Sequence, residues 1–529
     1  MKSRNSECSE CGNINPEEIF RIIESKTVDE FGRATGERKI RSEEWYKLYK
    51  SHFVKSENKI DNSDKPNGCL ESPKVSNKLV QFLIYFQRNF FAKLNNRQYI
   101  AITLFEGPVL ALILGIALRS QGVGKEYQFG SNPNIPVYMF ICTIVALFLG
   151  LMASAEEIIQ DKKILKRESF LQLSRNSYLL SKLSFLFMLS AMQSLLFLLV
   201  GNLLLGFSEL FFHYFLVLFS VSCFGNLLGL NISSGLKTRV AVYILIPFLI
   251  IPQIMLSGVL VKFEDLSPIM GNNSKVPFIG NIMVSRWAYE ALATDQFKNN
   301  EYEQLYFDAE KQERNVAYRQ NYWWYKIDEQ ISAATDAIAS NKLSADSAKR
   351  LKLLVNNEFQ ELKNEYPDVK IKDIGRIYTD KSNSGFLITC RENLDSIKKY
   401  FFRESSKAQS KKENLEHSLV AKFGSIEKLK SFEHRHCNKR LGEIVMDNSG
   451  TGDKIMLGDE GTIRKFEPVF IKWIKSGLFS APFYSYSKNL FGFQVETIWF
   501  NMIIIWLFSI VLYITLYFDI IRKALERRR

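Results

Sequence analysis

Two long apolar runs joined by a short charged segment constrain the fold of this chain more than any other feature. The runs occupy residues 137–155 and 179–205. Each can cross a bilayer, which takes about 20 predominantly apolar residues, and a backbone inside hydrocarbon must satisfy its own hydrogen bonds as a helix. The segment between them, 156–175, has a helical pattern of charged residues. It therefore predicts a structured elbow outside the membrane, with a surface on which a partner can dock.

Four more apolar runs extend this pair to a membrane domain with six spans. The predicted spans, in chain order, are residues 100–118, 137–155, 179–205, 210–232, 240–261 and 498–518. Lysine and arginine residues gather in the elbow, in the link at 233–239 and in the carboxyl tail. Short cytoplasmic loops carry an excess of these cations, so we predict that both termini and the elbow lie on the cytoplasmic side of the cell (inner) membrane.

The net charge of +13 fits this topology and does not indicate a nucleic-acid partner. The cations cluster at the ends of the spans, as in membrane proteins, and do not line a groove for phosphates. We therefore expect the chain to contact the lipid bilayer and no nucleic acid.

The rest of the sequence divides into segments of different character. Residues 1–75 are predicted to form a cytoplasmic linker region, and residues 76–97 an interfacial connecting helix whose apolar side chains recur at three- and four-residue spacing. Spans 1–5 occupy 98–262, an extracytoplasmic segment occupies 263–497, and 498–529 holds span 6 with a basic cytoplasmic tail. The predicted fold class is mainly α: a six-helix polytopic membrane domain with a large, mostly helical extracytoplasmic insert between helices 5 and 6.

The insert carries two local predictions. Residues 375–379, GRIYT, and 385–390, GFLITC, could be short strands between segments of helical pattern, although the first of them lies outside the residues that the structure describes. Cys390 and Cys437 are candidates for a disulfide bond if the insert faces an oxidising compartment.

Polar side chains inside the spans are few, and such groups are functional candidates. They are Glu106, Gln193, Asn226 and Asn231. One interpretation is contact with a substrate or proton-sensitive gating along a pathway. The other is interhelical hydrogen bonding that fixes the packing of the helices.

Catalytic motifs are missing from the sequence. It contains no GxxxxGK[ST] loop for nucleotide phosphates, no GxSxG and no HExxH. We predict that the chain is not an enzyme and that it holds no metal or cofactor.

Three segments carry a family resemblance. Residues 77–97 look like a connecting helix, residues 154–168 (SAEEIIQDKKILKRE) like a coupling segment, and residues 281–297 (NIMVSRWAYEALATDQF) like the motif that follows the fifth span. Together they resemble the permease half of a bacterial ABC exporter of the G-subfamily type. The resemblance covers about residues 1–300 and 495–529, and it does not include the ATP-binding cassette of that family.

The resemblance implies a permease subunit that forms half of a translocation pathway. A second permease copy or a homologue would complete the pathway, and a separate ABC ATPase would hold ATP-Mg and drive transport. The elbow would be the coupling interface with that ATPase. Its charged residues are Glu156, Glu157, Asp161, Lys162, Lys163, Lys166, Arg167 and Glu168.

An alternative from another class remains open at the level of sequence. A membrane scaffold or sensor that transports nothing could use the outer insert to bind envelope partners or ligands. The sequence does not name a substrate for either reading.

Overall fold

The computed structural model divides the chain into two units, Met1–Val75 and Ser76–Arg529. The residues that it describes are 20, 22–30, 34–53, 77–120, 127–168, 174–207, 209–263, 276–340, 345–372, 383–447, 454–458, 461–472 and 482–526.

The first unit contains a small antiparallel hairpin and a helix. The hairpin is formed by β1 (Lys26–Val28) and β2 (Ala34–Arg38), and the helix is α1 (Ser42–Phe53). Acidic residues in the first turn of α1 and basic residues in its last turn complement the helix dipole.

The second unit begins with α2 (Lys78–Leu94), so the connecting segment is helical as predicted. The side chain of Asn77 accepts a hydrogen bond from the backbone nitrogen of Leu79 and starts the helix. One face of α2 is buried against α6 and includes Tyr85, while its other face leaves apolar side chains such as Phe91 exposed. This two-sided pattern fits a helix lying at a membrane interface.

The membrane helices follow in chain order. They are α3 (Arg97–Leu118), α4 (Ile135–Ser154), the elbow helix α5 (Glu157–Glu168), α6 (Arg175–Leu205), α7 (Phe211–Gly235), α8 (Arg239–Met255) and, near the carboxyl end, α17 (Thr497–Tyr517). Within the described residues, five helices are long and apolar enough to cross a membrane: α3, α4 with its continuation into α5, α6, α7 and α17.

The predicted fifth span is shorter than the sequence indicated. An apolar run covers 240–261, but α8 has 17 residues and ends at Met255. It contains Pro247 and Pro252, which remove backbone donors and weaken the helix. At about 1.5 Å per residue, α8 falls short of the roughly 30 Å hydrocarbon core.

Small residues allow α4 and α7 to pack closely. A Cβ added to Gly150 would lie 2.2 Å from the carbonyl oxygen of Ser222, and one added to Gly225 would lie 2.7 Å from that of Leu147. Close backbone approach at small residues is a common way to pack membrane helices. The pair forms the centre of the largest hydrophobic core.

The segment between α8 and α17 is mostly helical where it is described. Its helices are α9 (Phe278–Ile282), α10 (Val284–Lys298), α11 (Glu303–Tyr318), α12 (Trp324–Ala339), α13 (Ala345–Glu365), α14 (Asn383–Phe423), α15 (Ile426–His436) and α16 (Lys439–Val445), and α18 (Ile520–Glu526) follows α17. Two small hairpins complete it: β3 (Ile455–Leu457) with β4 (Thr462–Arg464), and β5 (Ser487–Leu490) with β6 (Phe493–Glu496).

Two predictions for the insert are wrong. Residues 385–390 lie within the helix α14 and not in a strand. Phe386, Cys390 and Leu394 are buried on one side of α14, because their spacing of four residues directs them to the same helix face. The predicted disulfide is not formed: both cysteines are free, with Cys390 inside this core and Cys437 beside the side chain of Asn300.

The base of the insert contacts the loops of the membrane domain. The side-chain amide of Asn438 donates to the carbonyl oxygens of Phe129 and Asn132, at 2.7 and 2.8 Å. His436 pairs with Glu209 in the link between α6 and α7. Nearer the start of the segment between α8 and α17, α10 packs against α4, α7 and α17.

Candidate coupling site at the elbow helix

The elbow helix α5 starts on a cap supplied by another helix. The hydroxyl oxygen of Ser233, near the end of α7, accepts hydrogen bonds from the backbone nitrogens of Ile158 and Ile159, each at 3.1 Å. The first turn of a helix has backbone donors without partners inside the helix, and a serine oxygen satisfies them well. Because Ser233 is fully buried, the cap joins α5 to α7.

A group of paired charges joins the inner face of α5 to α2 and α6. Glu157 is buried and forms ion pairs with Lys93 of α2 and with Lys182 of α6, the latter at 2.8 Å. Lys182 also contacts Asp161 at 2.9 Å and the side-chain oxygen of Asn89 at 2.9 Å. We call Lys93, Glu157, Asp161 and Lys182 the elbow cluster; its two cations and two carboxylates balance.

Two further contacts join α5 to the link between α7 and α8. The Lys162 ammonium donates to the carbonyl oxygen of Leu236. At the start of the elbow, Glu156 pairs with Arg239 at 3.3 Å. The amino-terminal half of the elbow is therefore bound to the membrane domain on several sides.

The other face of α5 is basic and exposed. It presents Lys163, Lys166 and Arg167. Glu168 is the last residue of the helix, and its side chain lies outside the described part of the chain. Of the eight residues predicted for a coupling interface, four contact the membrane domain and three form an outward basic group. The four inward residues are Glu156, Glu157, Asp161 and Lys162.

The amides inside the spans form hydrogen bonds between helices. Gln193 of α6 donates to the carbonyl oxygen of Thr103 in α3 at 2.9 Å. Asn226 of α7 donates to the hydroxyl of Ser190 at 2.7 Å. These contacts favour the packing interpretation for both amides.

The other two polar residues of the spans differ from each other. Asn231 of α7 donates to the carbonyl oxygen of Leu512 in α17 at 2.8 Å, which is again an interhelical bond. Glu106 is half-buried on α3, next to Gly107, whose added Cβ would lie 3.3 Å from the backbone oxygen of Gln193. Its role stays a prediction.

Sequence reasoning missed the partners of the elbow. No sequence pattern indicates that Lys93, Asn89 and Ser233 lie near the elbow, because only the packing of the helices brings them together with it. Lys182 did give a signal: it is a lone cation four residues into an apolar run, and ionisable residues inside spans are paired or functional.

A second group of charges is buried around α10, and we call Arg286, Glu290, Lys488 and Asn501 the α10 cluster. The Lys488 ammonium lies 2.7 Å from the Glu290 carboxylate and 3.0 Å from the Asn501 side-chain oxygen. Arg286 lies 3.6 Å from the same carboxylate, with its guanidinium 4.1 Å from the ring of Trp287. Three segments meet here, since Lys488 belongs to β5 and Asn501 to α17.

Two cations share one carboxylate in the α10 cluster. Burial is the main cause that lowers the pKa of Lys488, to about 8; Glu290 opposes this change and Arg286 adds to it. Burial alone would raise the pKa of Glu290, but Lys488 and Arg286 hold it below its ordinary value. The cluster therefore holds an excess of positive charge where water does not reach.

Comparison with known proteins agrees with this architecture. Residues 80–297, from α2 through α10, match the model of the ABC-2 type transporter family. This part of the chain is similar to the membrane domain of that family, which is the permease component of ABC transporters and is not itself catalytic. None of the curated proteins compared with the chain matches it.

Proposed function

We propose that this protein is the permease subunit of an ATP-driven ABC exporter of the G-subfamily type, coupled to a separate ATPase through the elbow. One observation carries the proposal: in an ABC-2 membrane domain, the elbow helix is held by buried contacts on one face and presents basic side chains on the other. A partner that binds the exposed face of such a helix can displace it, and the buried contacts transmit the displacement to the neighbouring helices.

The contacts of the elbow support one route for that motion. The elbow cluster joins α5 to α2 and α6, and the Ser233 cap joins it to α7. Displacement of α5 by an ATPase would therefore move the cytoplasmic ends of three helices together. Packed elements with two discrete arrangements are the physical basis of such coupling.

The membrane frame completes the proposal. We count α8 as a short fifth span, which makes six spans in all. Both termini and the elbow would then lie in the cytoplasm and the insert outside the inner membrane, and the distribution of basic residues supports this topology. A single copy supplies half of a pathway, so a second copy or a homologue completes it. The chain itself needs no cofactor, because ATP-Mg binds to the ATPase.

The test reverses charge on the exposed face of the elbow alone. We expect Lys163→Glu with Arg167→Glu to leave folding unchanged, since exposed ion pairs contribute little to stability. The same change places like charges against the ATPase and should abolish co-purification of vanadate-sensitive ATPase activity with the tagged chain. The matched control is Lys428→Glu with Lys430→Glu, two exposed lysines of α15.

Full ATPase activity retained on the elbow double variant would contradict the proposed coupling interface. If neither the wild-type chain nor the control retains any ATPase activity, the alternative of a scaffold or sensor gains.

A further inference from the structure

The hairpin before the last span has an unusual tip. In the β5–β6 hairpin, Lys488 pairs with Val495 and Leu490 pairs with Phe493, and Glu496 is followed directly by the first residue of α17. The two turn residues, Phe491 and Gly492, have φ angles of 50° and 95°. Phe491 is 87% exposed and Phe493 is 76% exposed, so most of the surface of each side chain is not covered by the protein.

The two faces of this hairpin differ in polarity. Cross-strand pairing and alternation place Lys488, Leu490, Phe493 and Val495 on one face. On this face Lys488 is buried in the α10 cluster, and Leu490 and Val495 pack partly against the membrane-domain core. This face therefore packs against the membrane-domain helices near its base, and its apolar side chain Phe493, near the tip, is exposed.

The turn itself does not explain the aromatic residue. A two-residue turn with both φ angles positive favours Asn-Gly, and a bulky side chain at its first position is uncommon and unfavourable. Phe491 thus keeps a strained backbone while its ring gains no contact within the protein that would bury it. Strained positions of this kind are frequent at binding surfaces.

We propose that the tip of the β5–β6 hairpin, Phe491 and Phe493, inserts into the interfacial layer of the lipid bilayer beside α17. The apolar side chains on one face of α17, Trp499, Ile503, Leu507, Ile510 and Ile514, are each exposed, as on a helix at the lipid-facing rim of a bundle. Because the hairpin continues into this helix without a linker, its tip lies at most six residues, roughly 20 Å, from the start of the span. Aromatic side chains are favoured in the interfacial layer of a membrane.

The opposite face of the hairpin supports this orientation. It carries the polar residues Ser487, Asn489, Gln494 and Glu496. Ser487 is buried at the base and Glu496 pairs with Lys298, while Gln494, nearer the tip, is exposed. Anchoring the tip would fix the hairpin and, through Lys488, hold the α10 cluster at a constant depth. The proposal depends on α17 as a membrane span and not on the direction or the occurrence of transport.

The test replaces Phe491 or Phe493 by the photoreactive analogue p-benzoyl-phenylalanine. The full chain is reconstituted in vesicles of phosphatidylcholine and phosphatidylglycerol, irradiated, and examined by intact-mass spectrometry and gel electrophoresis. We expect phospholipid adducts at both positions, in at least several-fold higher yield than at Phe402 of α14, a matched control that is 68% exposed. Because both tip residues are exposed, the substitutions should leave the elution volume on size exclusion unchanged.

Two results would overturn the proposal. One is a lipid adduct yield at 491 and 493 no higher than at 402, which would place the tip in water. The other is a crosslinked dimer as the main product, which would show that a second copy of the chain covers the tip.

Discussion

The elbow cluster and the α10 cluster solve the problem of buried charge in different ways. In the elbow cluster two cations meet two carboxylates, and Lys93 and Asp161 keep 14% and 17% of their side chains exposed. In the α10 cluster two cations share one carboxylate, and none of the three charged side chains is more than 1% exposed. Separating the charges of a balanced, partly exposed cluster costs a moderate free energy. In a fully buried cluster with one carboxylate, removing that carboxylate leaves two cations without a counter-charge.

The difference suggests different mechanical roles. Under the proposed function, an ATPase displaces the helices that the elbow cluster joins, so the contacts of this cluster would have to break and form again. The α10 cluster joins α10, β5 and α17 and is expected to hold them as one rigid part. Breaking one buried partner leaves an uncompensated charge, and the cost rises with the degree of burial.

The largest predicted effect follows from removing the anion of the α10 cluster. Glu290→Gln leaves Arg286 and Lys488 buried without a counter-charge, so we expect a loss of about 3–5 kcal/mol in the free energy of unfolding. The matched control, Lys488→Met, removes the surplus cation and leaves Arg286 paired with Glu290; its loss should be clearly smaller. Thermal unfolding followed by size exclusion in detergent compares the two. If both variants lose the same free energy of unfolding, an unpaired buried charge does not explain the effect of Glu290→Gln.

A smaller effect is expected in the elbow cluster. In Glu157→Gln, Lys182 keeps Asp161 as its partner and Lys93 keeps access to water, so the loss should be about 1.5–3 kcal/mol. Hydrogen exchange should accelerate in the amides of α5, because its link to α2 and α6 weakens. Glu416→Gln, at an exposed position of α14, is the control and should change neither quantity. Unchanged exchange in α5 would show that the Ser233 cap alone holds the elbow.

The sequence was sufficient for the elbow and the long spans, because the length of an apolar run and its charged flanks are local properties. It was not sufficient for the orientation of the elbow. Lys93, Lys182 and Ser233 lie 64, 25 and 75 residues from their partners in the elbow, and only packing brings them together. Which of the eight charged residues face inward therefore depends on distant helices.

Two segments were misread for different reasons. The apolar run at 240–261 is longer than α8, which contains two prolines and ends at Met255. Hydropathy measures the apolar character of a segment and does not show where a helix ends. The residues GFLITC have the composition of a strand, but burial of Phe386 and Cys390 against the insert core requires a helix. Tertiary packing overrides propensity in such short runs.

The smallest expected effect is a pH dependence of the free energy of unfolding that arises from Lys488 in the α10 cluster. The pKa of Lys488 in the folded chain is about 8, below its ordinary value of 10.5. Between these values the unfolded chain binds the proton more tightly than the folded chain does, so the free energy of unfolding should rise as pH increases from about 8 to about 10. Below about pH 8 the lysine is charged in both states and adds no slope. Lys488→Met lacks this contribution, and the melting temperature of the wild type should therefore rise relative to that of the variant over this range. Parallel melting curves across the range, or a relative fall for the wild type, would mean that Glu290 keeps the pKa of Lys488 at or above its ordinary value, so that burial does not disfavour the charge of this lysine.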